Sequence, residues 1–205
     1  MILLAFATAA IVLRTPSMFS GDVGFWAEEG RVYFQYAWQH GFWASLFAPH
    51  QGYFALLPNV ATAIATTIPL ELAPSFTVAF AAGAQILVVA IVVFGRAKLF
   101  ESPGRRLLAV AIVLFAARTD EIWFNTITSQ FHLSLAAALI LLEPTTAVGR
   151  ARQISMRAIL VLAGLTGPAA ASLAPAFACS AWATRDRERS CKPQFFSYAS
   201  EFSWQ

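Results

Sequence analysis

Residues 72–95 read LAPSFTVAFAAGAQILVVAIVVFG and contain no charged side chain. A helix of this length is long enough to cross the apolar core of a bilayer, which is about 30 Å thick. The rest of the chain is similarly apolar, with 58% hydrophobic and only 12% charged residues, whereas soluble domains usually carry about 25% charged residues. The mean hydropathy is +0.62. The composition therefore predicts an all-α, polytopic membrane protein.

The charge balance argues against nucleic acid as a partner. The net charge is only +3 and comes from short basic clusters, which are more typical of cytoplasmic loops between membrane spans. The two cysteines, Cys179 and Cys191, are too few for a disulfide framework and match no metal-ligand spacing. Membrane lipid is the expected surrounding.

Four further windows lack Asp, Glu, Lys and Arg: residues 1–13, 107–117, 122–142 and 158–184. Gly167-Pro168 interrupts the last of them and is a turn or break signal. The positive-inside rule places the basic clusters in the cytoplasm, so residues 107–142 and 158–184 must each form a hairpin. About six passes result. The three basic clusters lie at 96–106, 150–157 and 185–189.

An outer loop is expected at about 14–71 if the first window crosses once. It has no Asp, Glu, Lys or Arg from Val32 to Leu70 and is rich in Trp, Tyr and Phe, which favour the membrane–water boundary. We expect interfacial helices at roughly 24–40 and 52–67. The tip of the outer hairpin falls at about 118–127. Two acidic pairs, Glu28-Glu29 and Asp120-Glu121, then face the same side.

Two parts of unequal size result from this arrangement. Residues 1–184 are predicted to form the transmembrane domain, and residues 185–205 a cytoplasmic tail. From Ser190 onward the membrane-type pattern is lost, so we expect a truncated or frameshifted product of a longer enzyme.

Four short motifs follow one another along the chain: AEEGRVYF at 27–34, GFW at 41–43, PHQGYF at 49–54 and RAKLF at 96–100. Their order resembles the N-terminal half of the GT-C superfamily of membrane glycosyltransferases, and the resemblance covers roughly residues 1–184. It implies an integral inner- or plasma-membrane enzyme of the cell envelope that takes a sugar from a polyprenyl-phosphate donor on the outer face. The pair here is Glu-Glu where Asp-Glu or Glu-Asp is usual, and family members generally have more passes.

Inverting transfer from a lipid phosphate needs a base for the acceptor hydroxyl and cationic or neutral donors for the leaving phosphate. Glu28 and Glu29 are the candidate bases. A divalent cation, if one is used, would be held by Asp120 and Glu121; no other cofactor is implied. The candidate substrate-binding residues supply arginine forks, acids and neutral hydrogen bonds: Arg31, His50, Gln51, Tyr53, Arg118, Asp120, Glu121, Asn125, Gln130 and His132.

Plainer interpretations stay open at each position. Glu28 and Arg31 are three residues apart and could form a self-paired, solvated helix face. Asp120-Glu121 could be a wet loop tip, and His132 a structural histidine. For the whole chain, the alternatives are a transporter or flippase and a non-catalytic membrane assembly subunit.

Overall fold

The computed structural model describes residues 1–14, 24–115, 124–144 and 149–183, and these form a mostly helical protein. The predicted helical class is thus confirmed. Contacts divide the chain into two units, Met1–Ala171 and Ser172–Gln205. In the second unit the structure describes residues 172–183, of which 174–183 form a helix.

The longest helix of the first unit is α5, Ala73–Phe94, which coincides with the apolar run at 72–95. It begins with Pro74 in its first turn, a position that proline tolerates because its missing N–H is not needed there. The other helices of the core are α1 (Ile2–Leu13), α6 (Pro103–Phe115), α7 (Ser129–Leu141) and α8 (Arg150–Gly164). Helices α1, α6 and α7 pack against α5 around Val88, Val89 and Val92.

Short elements lie between α1 and α5. They are a π-helix (Glu29–Phe34), α2 (Gln35–His40), α3 (Phe42–Leu46), β1 (Pro49–His50), β2 (Tyr53–Phe54) and α4 (Leu56–Ala65). The remaining elements are a 3₁₀ turn at Lys98–Phe100 and α9 at Pro168–Ala171. The expected helix at 52–67 is therefore shorter, because the hairpin β1–β2 occupies its start.

Two helices extend beyond the uncharged windows from which the spans are predicted. Helix α6 includes Arg105 and Arg106, ahead of the window at 107–117, and α8 begins at Arg150, ahead of the window at 158–184. Arginine is a good helix former, and its long stem reaches past the apolar surface while the guanidinium stays in a polar setting. The expected break at Gly167-Pro168 is present, with Gly167 at φ +126° and α9 starting at Pro168.

In the described residues, Ala73–Phe94 is long and apolar enough to cross a membrane on its own. Arg150–Gly164 and Pro168–Ala183 meet that condition only when taken together as one broken span. Shorter apolar helices are Ile2–Leu13, Leu56–Ala65 and Ser129–Leu141.

Candidate functional site

The acidic pair lies at the start of a helical segment, residues 27–40, which we call the site helix. It comprises a first turn at 27–28, the π-helix Glu29–Phe34 and α2. The backbone angles of Glu28, Phe34 and Gln35 are all right-handed helical, so the segment runs without a break. π-Helical turns are rare and occur often at functional sites.

The site helix turns its two neighbouring glutamates to different environments. Glu28 is exposed and lines a cleft of about 530 Å³ together with Ala27, Arg31, Val32 and Gln35. Glu29 is instead only 1% exposed. The geometry therefore separates the two candidate bases: one carboxylate faces the cleft with a guanidinium, and the other faces the protein interior.

Glu29 joins three separate segments through its carboxylate. One oxygen, Oε2, lies 3.0 Å from Thr77 Oγ1 on α5. The other, Oε1, accepts a hydrogen bond of 3.0 Å from the backbone N–H of Thr126 and a second from its hydroxyl. The side chain thus fixes the site helix against the start of α5 and against the turn that precedes α7.

The Thr77 hydroxyl lies within hydrogen-bond distance of two oxygens, 3.0 Å from Glu29 Oε2 and 2.9 Å from the Pro74 carbonyl. Because a hydroxyl both donates and accepts, it can partner Glu29 in either protonation state: it donates to a carboxylate, or it accepts from a neutral acid and donates to Pro74. Burial raises the pKa of Glu29, although the hydrogen bonds from Thr126 and Thr77 oppose this.

Strained backbone flanks this contact on both sides. Ala27, directly before Glu28, has φ +36°, and Phe124, two residues before Thr126, has φ +65°. Residues other than glycine rarely adopt such φ angles, and backbone strain of this kind concentrates at functional sites. Gly30 adds a close approach, because a Cβ there would lie 2.8 Å from Cβ of Phe25.

The hairpin β1–β2 presents three of the predicted substrate-binding residues. His50 pairs with Tyr53, and the turn residues Gln51 and Gly52 both have positive φ, as a type I′ turn requires. Gln51 is exposed, whereas His50 is buried with its ring 4.6 Å from that of Tyr33 and 5.1 Å from that of Tyr36. Burial lowers the pKa of His50, so its imidazole is neutral.

Tyr33 brings the hairpin and the site helix together. Burial, reinforced by the neighbouring Tyr53, raises the pKa of its phenol. Its ring is 1% exposed and packs edge-on against His50. His50 and Tyr53 thus lie against the buried face of the site helix, while Glu28 and Arg31 line its exposed face.

The remaining predicted residues fall near α7 or outside the described residues. Asn125 is buried, and its Oδ1 accepts hydrogen bonds of 2.8 Å from both the N–H and the hydroxyl of Thr128. Gln130 packs against Gly167, and His132 lies two residues further along α7. Arg118, Asp120 and Glu121, and with them the predicted cation site, lie outside the described residues. Within the described ranges no group of three His, Cys, Asp or Glu side chains is placed to hold a metal ion.

Known proteins offer no template for this arrangement. Compared with protein-family models, curated proteins and solved structures, the chain matches none. The site must therefore be interpreted from its own residues.

Thr77 and Thr126 carry no role predicted from the sequence, and for Glu143 the sequence predicts only a position at a span end. Glu143 has the position of a span end, yet it is 7% exposed and accepts hydrogen bonds from the backbone N–H groups of Arg96 and Ala97 and from Arg152. For Thr77 a signal exists, because it is a polar residue one turn into an apolar helix. Thr126 and Glu143 offer no comparable pattern.

Proposed function

We propose that the chain is a membrane glycosyltransferase or a part of one. It transfers a sugar from a polyprenyl-phosphate donor to an acceptor on the outer face of a membrane that it crosses about six times. The observation that supports this best is the cleft in which Glu28 and Arg31 lie on the same exposed helix face. A carboxylate and a guanidinium side by side suit a reaction that moves a proton and releases a phosphate.

The chemistry assigns one role to each side chain. Glu28 takes the proton from the acceptor hydroxyl as its oxygen bonds to the anomeric carbon. The bond from that carbon to the phosphate oxygen breaks, and its electron pair leaves with the polyprenyl phosphate. Arg31 donates hydrogen bonds to this phosphate as its negative charge grows. Glu29 holds the site helix in place and does not touch the substrate.

The position of the cleft along α5 supports a membrane-crossing arrangement. Glu29 bonds to Thr77 near the start of α5, whereas Arg96, Lys98, Arg105 and Arg106 come after its end. From Thr77 to its last residue, Phe94, the helix rises by about 26 Å, which is most of the apolar thickness of a bilayer, about 30 Å. The acidic cleft and the basic residues therefore lie at opposite ends of one membrane-length helix, as the positive-inside rule requires.

Sugar transfer in membranes that contain the full chain tests the proposal. Membranes are supplied with a radiolabelled polyprenyl-phosphate hexose, and label is followed into acceptor material. We expect Glu28→Gln to lower the rate by about 100-fold, the usual contribution of a general base. Arg31→Gln should lower it by a similar factor.

Glu71→Gln is the matched control, since Glu71 is an exposed glutamate outside the cleft lining. Equal rates for wild type and Glu28→Gln, at equal membrane levels, would refute the assigned base. Movement of intact donor across vesicles without transfer would instead indicate a flippase.

A further inference from the structure

A second, largely apolar groove lies at the other end of α5. It has a volume of about 170 Å³ and runs between α5, α7 and α8. Its walls include Ile91 and Phe94 of α5, Ile140 of α7 and Ile159 of α8. From Arg152 to Ile159 the groove runs along α8 for about 10 Å. Part of one acyl chain fits along this length.

One end of this groove is polar. Arg152 lines it, and its guanidinium donates to the carbonyl of Phe94 at 2.9 Å and to Glu143 at 2.7 Å. These bonds place the end of the groove where the C-terminal ends of α5 and α7 meet the first turn of α8. Arg152 is thereby occupied, so a ligand charge there must be met by other side chains.

Exposed cations follow the C-terminal end of α5 and begin α8. Arg96 and Lys98 come within four residues of Phe94, and Arg150 is in the first turn of α8. Glu101 is the exposed acid in the same stretch of chain. Among the described residues, the salt bridge is that of Arg152 with Glu143.

We propose that this groove binds an anionic phospholipid, with an acyl chain against Ile91 and Ile159 and the phosphate near Arg96 and Arg150. An apolar trough that ends in a basic surface complements a ligand with an apolar chain and an anionic head. Basic pockets between helices on the cytoplasmic side of membrane proteins are typical lipid sites. The proposal rests on the membrane location given above, and it is independent of sugar transfer.

Lipid retention by the full chain provides the test. The protein is purified in detergent and mixed with equal amounts of phosphatidylglycerol and phosphatidylcholine, and the retained lipids are counted by native mass spectrometry. Wild type should retain phosphatidylglycerol at least about fivefold better. Arg96→Gln and Arg150→Gln should each weaken that preference by about fivefold, the value of one basic residue at a charged lipid surface.

Ser155→Trp sharpens the test because Ser155 is exposed and lines the groove, so a large ring there fills it. Ala158→Trp is the matched control on the same helix, exposed but outside the lining. We expect retention to fall only in Ser155→Trp, with both variants keeping the wild-type unfolding temperature.

Three results would overturn the proposal: equal retention of the two lipids by wild type, undiminished retention in Ser155→Trp, or an equal loss in both Trp variants. If Ser155→Trp fails to fold, the two arginine variants still decide the question. Because no sugar donor is present, failure here leaves the transferase proposal to its own test.

Discussion

The two buried glutamates at the ends of α5 make a direct comparison, since both join three segments but by different means. Glu29 meets two threonines, through hydroxyls and one backbone N–H. Glu143 meets two backbone N–H groups and the guanidinium of Arg152. The first arrangement surrounds the acid with uncharged partners, and the second sets it against a cation. One residue type therefore connects uncharged groups beside the cleft and forms half of an ion pair at the basic end.

The largest effect is expected for Glu143→Ala. It leaves the Arg152 guanidinium and two backbone N–H groups without their acceptor, and removal of one member of a buried ion pair costs about 3–5 kcal/mol. Denaturant unfolding in detergent measures the change. Glu101→Ala, an exposed acid near the same end, should change stability by less than about 0.5 kcal/mol. A similar small change for Glu143→Ala would mean that this end is not held by charge.

Glutamine at each position separates the two mechanisms. Glu29→Gln keeps a neutral donor for Thr77 and an acceptor for Thr126, so it should cost less than about 1 kcal/mol. Glu143→Gln loses the charge that faces Arg152 and should cost about 2 kcal/mol or more. The same unfolding measurement compares them. The comparison fails if Glu29→Gln is the more damaging of the two.

Removal of the Thr77 hydroxyl should have a moderate effect. Thr77→Val keeps the shape of the side chain but leaves the Glu29 oxygen without its partner on α5, at a cost of about 1 kcal/mol. Thr67→Val is the control, because Thr67 is exposed and bonds only within its own turn. Equal stabilities of the two variants would show that α5 is not held through Glu29.

The smallest effect is a slope in the pH dependence of stability. The folded pKa of Glu29 is raised above its ordinary value of 4.5, so the stability that Glu29 contributes is fully present below pH 4.5. As the pH rises through 4.5 toward the folded pKa, the unfolded chain loses this proton first and stability declines. Thermal unfolding of wild type and Glu29→Gln from about pH 4 to about pH 8 measures it. The variant should show a flatter curve, and parallel curves would contradict a neutral Glu29; Glu71→Gln should behave as wild type.

Helix α5 is the most predictable part of the fold. A long uncharged run has few alternatives to a helix in an apolar setting, because every backbone group must be bonded internally. The ends of α6 and α8 are less predictable. A segment inside a bilayer must be largely uncharged, whereas a helix can continue through charged residues. Arg105, Arg106 and Arg150 extend these helices because their side chains reach away from the apolar surface.

The candidate site is predictable in location and not in roles. The acidic pair indicates where the site lies, but Glu28 and Glu29 are the same residue type one position apart. The sequence alone does not say how their helix is rotated about its axis, and so which of the two faces the interior. Contacts with Thr77 and Thr126, which lie 48 and 97 positions away along the chain, decide which of the two is buried. For Glu143 the sequence predicts a span end but not its contacts, because two of its partners are backbone groups that have no sequence signature.

The π-helix Glu29–Phe34 has a consequence for how this chain tolerates length changes. A π turn holds one more residue than the α-helical turn it replaces, so it behaves as a single inserted residue absorbed without a bulge in the chain's path. Loss of one residue from this segment would therefore restore regular α-helical winding and leave the later turns of the site helix on their present faces. Loss of one residue from α2 ahead of Trp38 would instead rotate the following side chains by about 100° relative to Glu28. Trp38, 62% exposed, would then point in a new direction. The π turn thus lets the site helix lose one residue while it keeps the register between the candidate base and the aromatic surface on the later turns.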